Sequence, residues 1–494
     1  MRRHSLSVFV PDEIDINRLP AGGISVPVIA ATREGDGFVT SVSASAFGKT
    51  CEVTTTSPLT ALHLRPEEVR AGLDLGDLET TNLVSKHGAF ELLQLDTAGI
   101  PMDDGTQSFA TVEVRAIISG REVREIVHIP LQVTSLPHVP GWYGGDGHVH
   151  TMWSPDVVLL PISQRARHAR DNGFGFIIIT DHEDGIGRKW GVSGGYCDQC
   201  LRAEMEYNIP VLPGVEIAVD GGGHCLAYHM KETAQTVPSN RGFDARRLLL
   251  QIAGHNRPLS YGIAAHPYEK REKWTAWSVR DLAGIEIINR SRRARPEAVR
   301  KWFDLLNRDL PRTLRTGAFT VGVANSDCHN LQEPGGRGFT WIKPEQHTNY
   351  LDAPRLTNTG EISELLRPRL SGVEVWKTIR SGRVVASGSK DLGFFTLNGA
   401  GIGETATAYP GSALVFSLEC HPSAGRRCTK ITIFSGDGRE TVVTPGRPGT
   451  PLRFEARCPR SSTFYLARFD FAGRRKQLDS EVWTNPVFVR VTGT

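Results

Sequence analysis

Five short segments in the middle of this 494-residue chain end in side chains that bind metal ions. They are Gly-Asp-Gly-His-Val-His-Thr (Gly145 to Thr151), Phe-Ile-Ile-Ile-Thr-Asp-His (Phe176 to His182) and Val-Leu-Pro-Gly-Val-Glu (Val211 to Glu216), followed by Gly-Ile-Ala-Ala-His-Pro (Gly262 to Pro267) and Val-Gly-Val-Ala-Asn-Ser-Asp-Cys-His (Val321 to His329). A buried strand has no use for a histidine or carboxylate at its end unless something there neutralises and coordinates it. One such ending is chance, but a series along one region describes a polynuclear metal site.

The spacing supports this. Asp146, His148 and His150 alternate, so on an extended strand their side chains share one face. Two imidazoles can then reach one ion at about 2.0–2.1 Å. Asp327 and His329 repeat the arrangement with Cys328 turned away, and Glu216 can bridge two ions through its two oxygens. Imidazole with carboxylate suits zinc, manganese or iron, and the lack of a thiolate argues against a purely structural zinc knot. Taken singly, His-x-His is often incidental, Thr-Asp-His reads equally as a helix cap and His-Pro as a turn. Their joint occurrence in order carries the metal reading.

The elements that must position these groups alternate between strand and helix from about 139 to 390. A helix is expected from Pro161 to Asn172, closed by Gly173, and another from Asp244 to His255 with Leu248, Leu249 and Ile252 on an apolar stripe. Pro296 is placed to open a third, carrying Trp302, Leu305 and Leu306. Such alternation favours a parallel sheet or barrel with ligands at the C-terminal strand ends. Residues 1–138 read as an N-terminal β-rich domain. Residues 391–494 read as a C-terminal β-sandwich domain, with strand-like runs such as Ala413 to Leu418 and Thr429 to Phe434.

Composition sets the remaining bounds. The length predicts two or three domains. A formal net charge of +3 argues against a nucleic-acid partner. No apolar run reaches a membrane span, and Val8-Phe9-Val10 is too short for a signal-peptide core. A cytoplasmic protein without a membrane partner is expected, and a homo-oligomer is left open. The eight cysteines suggest no disulfide framework. Cys197-Asp-Gln-Cys200 has zinc-knuckle or redox spacing without a matching second pair, and is expected to be a reduced surface pair in a loop.

The ordered motifs Asp-Gly-His-Val-His-Thr, Ser154-Pro-Asp156, Ile-Thr-Asp-His, Pro-Gly-Val-Glu, Ala-His-Pro and Ser-Asp-Cys-His resemble those of the PHP (polymerase and histidinol phosphatase) superfamily over roughly 139–345. Glu374-Val-Trp-Lys-Thr-Ile-Arg-Ser-Gly-Arg383, leading to Phe394-Phe-Thr-Leu-Asn-Gly399, is similar to the CehA/McbA-like metallohydrolases, which include aryl-carbamate esterases. Two departures stand out: Gly147 replaces a usual apolar residue, and Ala386-Ser-Gly-Ser389 replaces an expected Thr-Gly-Pro. The resemblance implies an α/β fold, a distorted (β/α)7 PHP-type barrel flanked by N-terminal and C-terminal β domains, holding two or three divalent metal ions (Zn, Mn or Fe).

Carried over residue by residue, the resemblance gives His148, His150, Glu216 and Asp327 to the first ion. Glu216, His224 and His266 go to the second, with His229 a rival to His224, and Asp156, His182 and His329 to a third. Asp146 and Asp181 are implied as partners that orient imidazoles. Asp181 also counts as a catalytic candidate, with Arg290 and Arg337.

Such a site hydrolyses esters with a metal-bound hydroxide, and no Gly-x-Ser-x-Gly elbow offers another nucleophile. The leading expectation is a small carboxyl or carbamate ester as substrate. A phosphoesterase acting on a small phosphorylated metabolite is the alternative, and a non-catalytic metal-stabilised binding protein a third reading. Tyr268, Lys270, Arg271, Lys273 and Trp274 follow His266, and Arg290, Arg292 and Arg293 follow the Ile285 to Asn289 run. These basic groups suit an anionic substrate. Trp274 and Trp277 either stack on an aromatic group or pack.

Overall fold

The computed structural model describes residues 6–10, 14–16, 23–32, 37–46, 48–53, 88–96, 108–133, 136–154, 157, 160–183, 186, 195–219, 222–229, 244–255, 259–329, 337–345, 370–423, 425–473 and 479–493. Its first part is all strand: β1 (Leu6–Phe9), β2 (Ile14–Ile16), β3 (Gly23–Thr32), β4 (Phe38–Ala46), β5 (Lys49–Val53), β6 (Gly88–Asp96), β7 (Ser108–Ile118) and β8 (Arg121–Val133). Two sheets form, ordered β1-β3-β6 and β2-β8-β7-β4-β5. Alternation gives each an apolar face. Val42 and Ala44 of β4, with Val112 and Val114 of β7, pack into one core with Val26 and Val28 of β3.

The central region runs β9 (Tyr143–Val149), α1 (Ile162–Asp171), β10 (Phe176–Ile179), α2 (Gly195–Tyr207), β11 (Val211–Ala218), β12 (His224–Tyr228), α3 (Ala245–His255), β13 (Tyr261–Ala265), β14 (Gly284–Asn289), α4 (Pro296–Thr316), β15 (Val321–Asn325), β16 (Phe339–Ile342), α5 (Gly372–Ser381) and β17 (Val384–Ser387). The glycine and proline signals act as predicted, and Asp244 adds a cap. Gly173 follows α1 at φ 73°, the Asp244 carboxylate accepts from Arg247 N at 2.8 Å before α3, and Pro296 opens α4.

Strands β9 to β15 lie side by side in sequence order. The sheet curls until β15 comes back to β9: Val149 and Cys328 form a parallel bridge, Asp327 N donates to His148 O at 2.8 Å, and His150 N donates to Cys328 O at 3.0 Å. The strand–helix alternation breaks in two places. β11 and β12 form an antiparallel hairpin, and no helix separates β13 from β14. Over the described residues the fold is therefore a mixed α/β curled sheet with fewer helices than a regular alternating barrel.

The last strands are β18 (Leu392–Leu397), β19 (Thr405–Ala408), β20 (Ala413–His421), β21 (Arg427–Ser435), β22 (Glu440–Val443), β23 (Leu452–Arg457), β24 (Thr463–Ala472), β25 (Ser480–Thr484) and β26 (Val487–Val491). One sheet is β18-β20-β23. The others extend the central sheet through β16 and β17, since Val385, Ala386 and Ser387 of β17 pair with Thr484, Trp483 and Val482 of β25. Asn485 adds side-chain bonds to Gly322 and Val384. The central and C-terminal regions thus share one continuous sheet.

Candidate metal centre

β9, β10, β11, β13, β14 and β15 all run in one direction, so their C-terminal ends gather at one rim. β12 runs against them, which brings its first residue, His224, to the same rim. His148, His150, His182, Glu216, His224, His266, Asp327 and His329 converge there from six strands or strand ends.

Glu216 is the hub, and its side chain is 1% exposed. One oxygen, Oε2, lies 3.2 Å from His148 Nε2, 3.1 Å from His150 Nε2 and 3.5 Å from His182 Nδ1. The other, Oε1, lies 2.9 Å from both His224 Nδ1 and His266 Nε2. Asp327 Oδ1 stands 3.3 Å from His148 Nε2, His150 Nε2 and His329 Nδ1, yet has no hydrogen-bond partner. His148 Nε2 and His150 Nε2 are 3.0 Å apart, and the His150 and His329 rings stack at 4.0 Å. Donors on a shell of about 2.1 Å radius around an ion stand roughly 3.0–3.4 Å apart. These separations fit divalent ions, and the donors divide into overlapping groups such as His148, His150, Glu216 with Asp327, and His150 with His182 and His329.

Electrostatics prepares the donors. Burial opposes ionisation of Glu216, but the His148 and His182 charges hold its carboxyl well below the usual range. Asp327 is likewise held low against burial, by the His148 charge and the neighbouring His150 imidazole. Burial and the neighbouring His329 lower His150 to about 4, leaving it neutral. His148 goes the other way: burial opposes its charge, but Asp327, Glu216 and Glu286 together raise it.

Hydrogen bonds outside the cluster fix which nitrogen faces it. Ser154 Oγ donates to Asp181 Oδ1 at 2.8 Å and so accepts from His150 Nδ1 at 2.8 Å, which leaves His150 Nε2 facing the cluster. Asp181 also takes Thr151 N at 2.6 Å and Ser154 N at 3.0 Å, so it acts on the imidazole through Ser154. Asp146 instead takes the His148 and Ser326 amides, each at 3.1 Å, with burial raising its carboxyl to about 6. The residue that orients His148 is Glu286, which accepts from His148 Nδ1 at 3.0 Å. Sequence reasoning missed it, although a lone acid in Gly284–Asn289 among isoleucines is a usable signal.

Two other features were not read from the sequence. Arg165 on α1, 6% exposed, donates to His150 O at 2.9 Å, Cys328 Sγ at 2.9 Å and Cys328 O at 2.8 Å, stapling the seam of the curled sheet. Gly147 leaves room where a side chain cannot fit: an added Cβ would lie 2.5 Å from Tyr228 Oη and 2.7 Å from Asn325 Oδ1. That explains the glycine where an apolar residue was expected.

The remaining candidates separate. Asp156 lies outside the described residues. His229 packs on Trp376 and stays out of the cluster, whereas His224 joins it. Arg290, with φ 49° and a side chain 47% exposed, donates from Nε to Asp327 O at 3.0 Å and contacts His329 Nδ1. Arg337 is part-buried just before β16. Trp274 is fully buried and packs rather than offering a stacking face, while Tyr268 stacks on Trp277 at 5.8 Å. Cys197 and Cys200 sit on α2, not in a loop. Cys200 is buried, and burial raises both thiols, Cys197 to about 11.

No protein-family profile and no curated protein matches the chain. Among solved structures it is similar to a two-domain Bacteroides vulgatus protein containing a predicted PHP-like metal-dependent phosphoesterase. That match has 14% identity over 72% of this chain and 97% of the other, with a TM-score of 0.38. PsfC from Pseudomonas syringae matches at 14% identity over 42% of this chain and 84% of its own, with a TM-score of 0.29. A Parabacteroides merdae β-glucuronidase matches at 9% identity over 99% and 64%, with a TM-score of 0.20. Scores this low carry no functional conclusion.

Proposed function

We propose that this chain is a metal-dependent hydrolase of PHP type, of the CehA/McbA-like branch, that cleaves a small carboxyl or carbamate ester at a site of two or three divalent ions. The observation that carries the reading is the division of Glu216, one oxygen facing His148, His150 and His182 and the other facing His224 and His266. A carboxylate shared this way bridges two cations and would serve little purpose in a metal-free core. In this reading His148, His150, Glu216 and Asp327 hold one ion, Glu216, His224 and His266 a second, and His182 and His329 a third with Asp156. The two β regions frame the central domain.

Ions in such a site activate water and offset charge on attacking and leaving oxygens. The protein supplies the geometry. Ser154 and Asp181 hold His150, Glu286 holds His148, and both present Nε2 inward. Arg290, half exposed beside Asp327, can meet an anionic group. That residue is the specific support for the alternative, a phosphoesterase.

The test is hydrolysis by chelator-stripped protein reloaded with zinc, manganese or iron. Naphthyl and p-nitrophenyl esters would be compared with p-nitrophenyl phosphate. Metal-dependent turnover that His150→Ala abolishes, with the circular dichroism spectrum kept, supports the hydrolase. Preference among substrates decides the ester class. Reloaded protein inert toward every ester and phosphate, or activity unchanged in His150→Ala, would sink the reading.

A further inference from the structure

The proposed second ion has three donors in Glu216, His224 and His266, one short of the usual four for zinc and further short for manganese. A fourth candidate stands on its open side. Glu272 Oε2 lies 3.8 Å from His224 Nδ1 and 3.8 Å from His266 Nδ1, and the three groups make a compact donor cluster. Those distances are too long for hydrogen bonds and a few tenths of an ångström beyond the roughly 3.0–3.4 Å spacing of donors on one ion, a gap that the half-exposed Glu272 side chain can close by a small rotation. His266 meets Glu216 through Nε2, and its other ring nitrogen, Nδ1, buried without a hydrogen-bond partner, lies on the edge that faces Glu272.

The loop that carries Glu272 is fixed in place. Glu269 N donates to His266 O at 2.8 Å and Trp274 N to Pro267 O at 3.0 Å, which closes the turn. The Trp274 side chain, fully buried in the core, anchors its far end. The hairpin tip before His224 rests on the same turn. Gly222 and Gly223, at φ 115° and 92°, leave no room for a Cβ, which would fall 2.9 Å from Lys273 O and 2.7 Å from Trp274 Cα. The hairpin that presents His224 and the loop that presents Glu272 are therefore packed backbone to backbone. The Glu272 side chain is 45% exposed, so it approaches the pair from the solvent side.

We propose that Glu272 is the fourth protein ligand of the ion held by His224 and His266, closing that position in the absence of substrate. This inference rests on the metal-centre reading above. Its test is metal uptake. Metal-free wild type, Glu272→Ala, Glu272→Gln and Glu269→Gln would be titrated with zinc by calorimetry and their bound metal measured by elemental analysis. Glu269 pairs with Arg295 at 2.7 Å and serves as the control. One position in Glu272→Ala and Glu272→Gln is expected to weaken by at least about tenfold, the others filling as in wild type and Glu269→Gln. The visible spectrum of cobalt-loaded protein should change with the lost carboxylate. Wild-type stoichiometry, affinity and cobalt spectrum in both Glu272 variants would overturn this inference alone. A wild type that takes up no metal would overturn the metal centre with it.

Discussion

Glu286 accepts from His148 Nδ1 at 3.0 Å, and its carboxylate accepts three further bonds: from Asn325 Nδ2 at 2.7 Å, His266 N at 2.7 Å and Asn289 Nδ2 at 2.9 Å. Four donors around one buried carboxylate tie β14 to β9, β13 and β15 just beneath the histidine–carboxylate cluster. Glu286→Gln keeps the shape but turns an N–H₂ toward donors. The variant is expected to lose at least about 2 kcal/mol in urea denaturation of metal-free protein. Its metal affinity should fall by roughly 10–100-fold, because His148 is no longer oriented. Unchanged affinity would mean that His148 is held by packing alone.

Most residues of the cluster were legible in the sequence because they stand at the ends of apolar runs, where a His, Asp or Glu has a recognisable chemical reason to be. His224 was harder to place. It is at the rim because β12 runs backward, and strand direction is a tertiary fact that spacing leaves open. Glu286 and Arg165 act inside the fold, where their residue types look like ordinary polar exceptions until their partners come together. The same holds for the sheet: the strand ends were readable, but the general strand–helix alternation read over 139–390 held no sign of the β11–β12 hairpin. Regular alternation also gave no sign that β17 and β25 would pair.

Arg165 offers the seam between β9 and β15 three donors at once. Arg165→Met removes all three and leaves buried carbonyls short of partners, so a stability loss of roughly 2–4 kcal/mol is expected. Arg165→Lys keeps the charge but not the planar fork, and should fall between Met and wild type. Chemical denaturation ranks the three. Equal stabilities would show that the seam holds through its backbone bonds alone.

Tyr228 Oη donates to Gly147 O at 2.7 Å while filling the space a Cβ at 147 would need. Gly147→Ala is expected to cost roughly 1–3 kcal/mol through that overlap. Tyr228→Phe removes the hydroxyl, and with it part of the clash. The double variant should therefore be more stable than the sum of the single losses implies, by about 0.5 kcal/mol or more. Strict additivity in a thermal or urea cycle would locate the obstruction at Asn325 instead.

Arg290 meets Asp327 at both backbone oxygen and carboxylate, 3.0 and 3.2 Å away, yet keeps nearly half its side chain in solvent. A group that only braced Asp327 would have no need of that exposure. Arg290→Met is expected to raise KM for esters bearing a carboxylate or phosphate by roughly tenfold or more, since one charge-assisted contact is lost. KM for a neutral naphthyl ester should change little. Parallel kinetics on the two substrate classes make the distinction. Equal losses in kcat on both would mean that Arg290 acts solely by holding Asp327, and the basic rim would then say nothing about substrate charge.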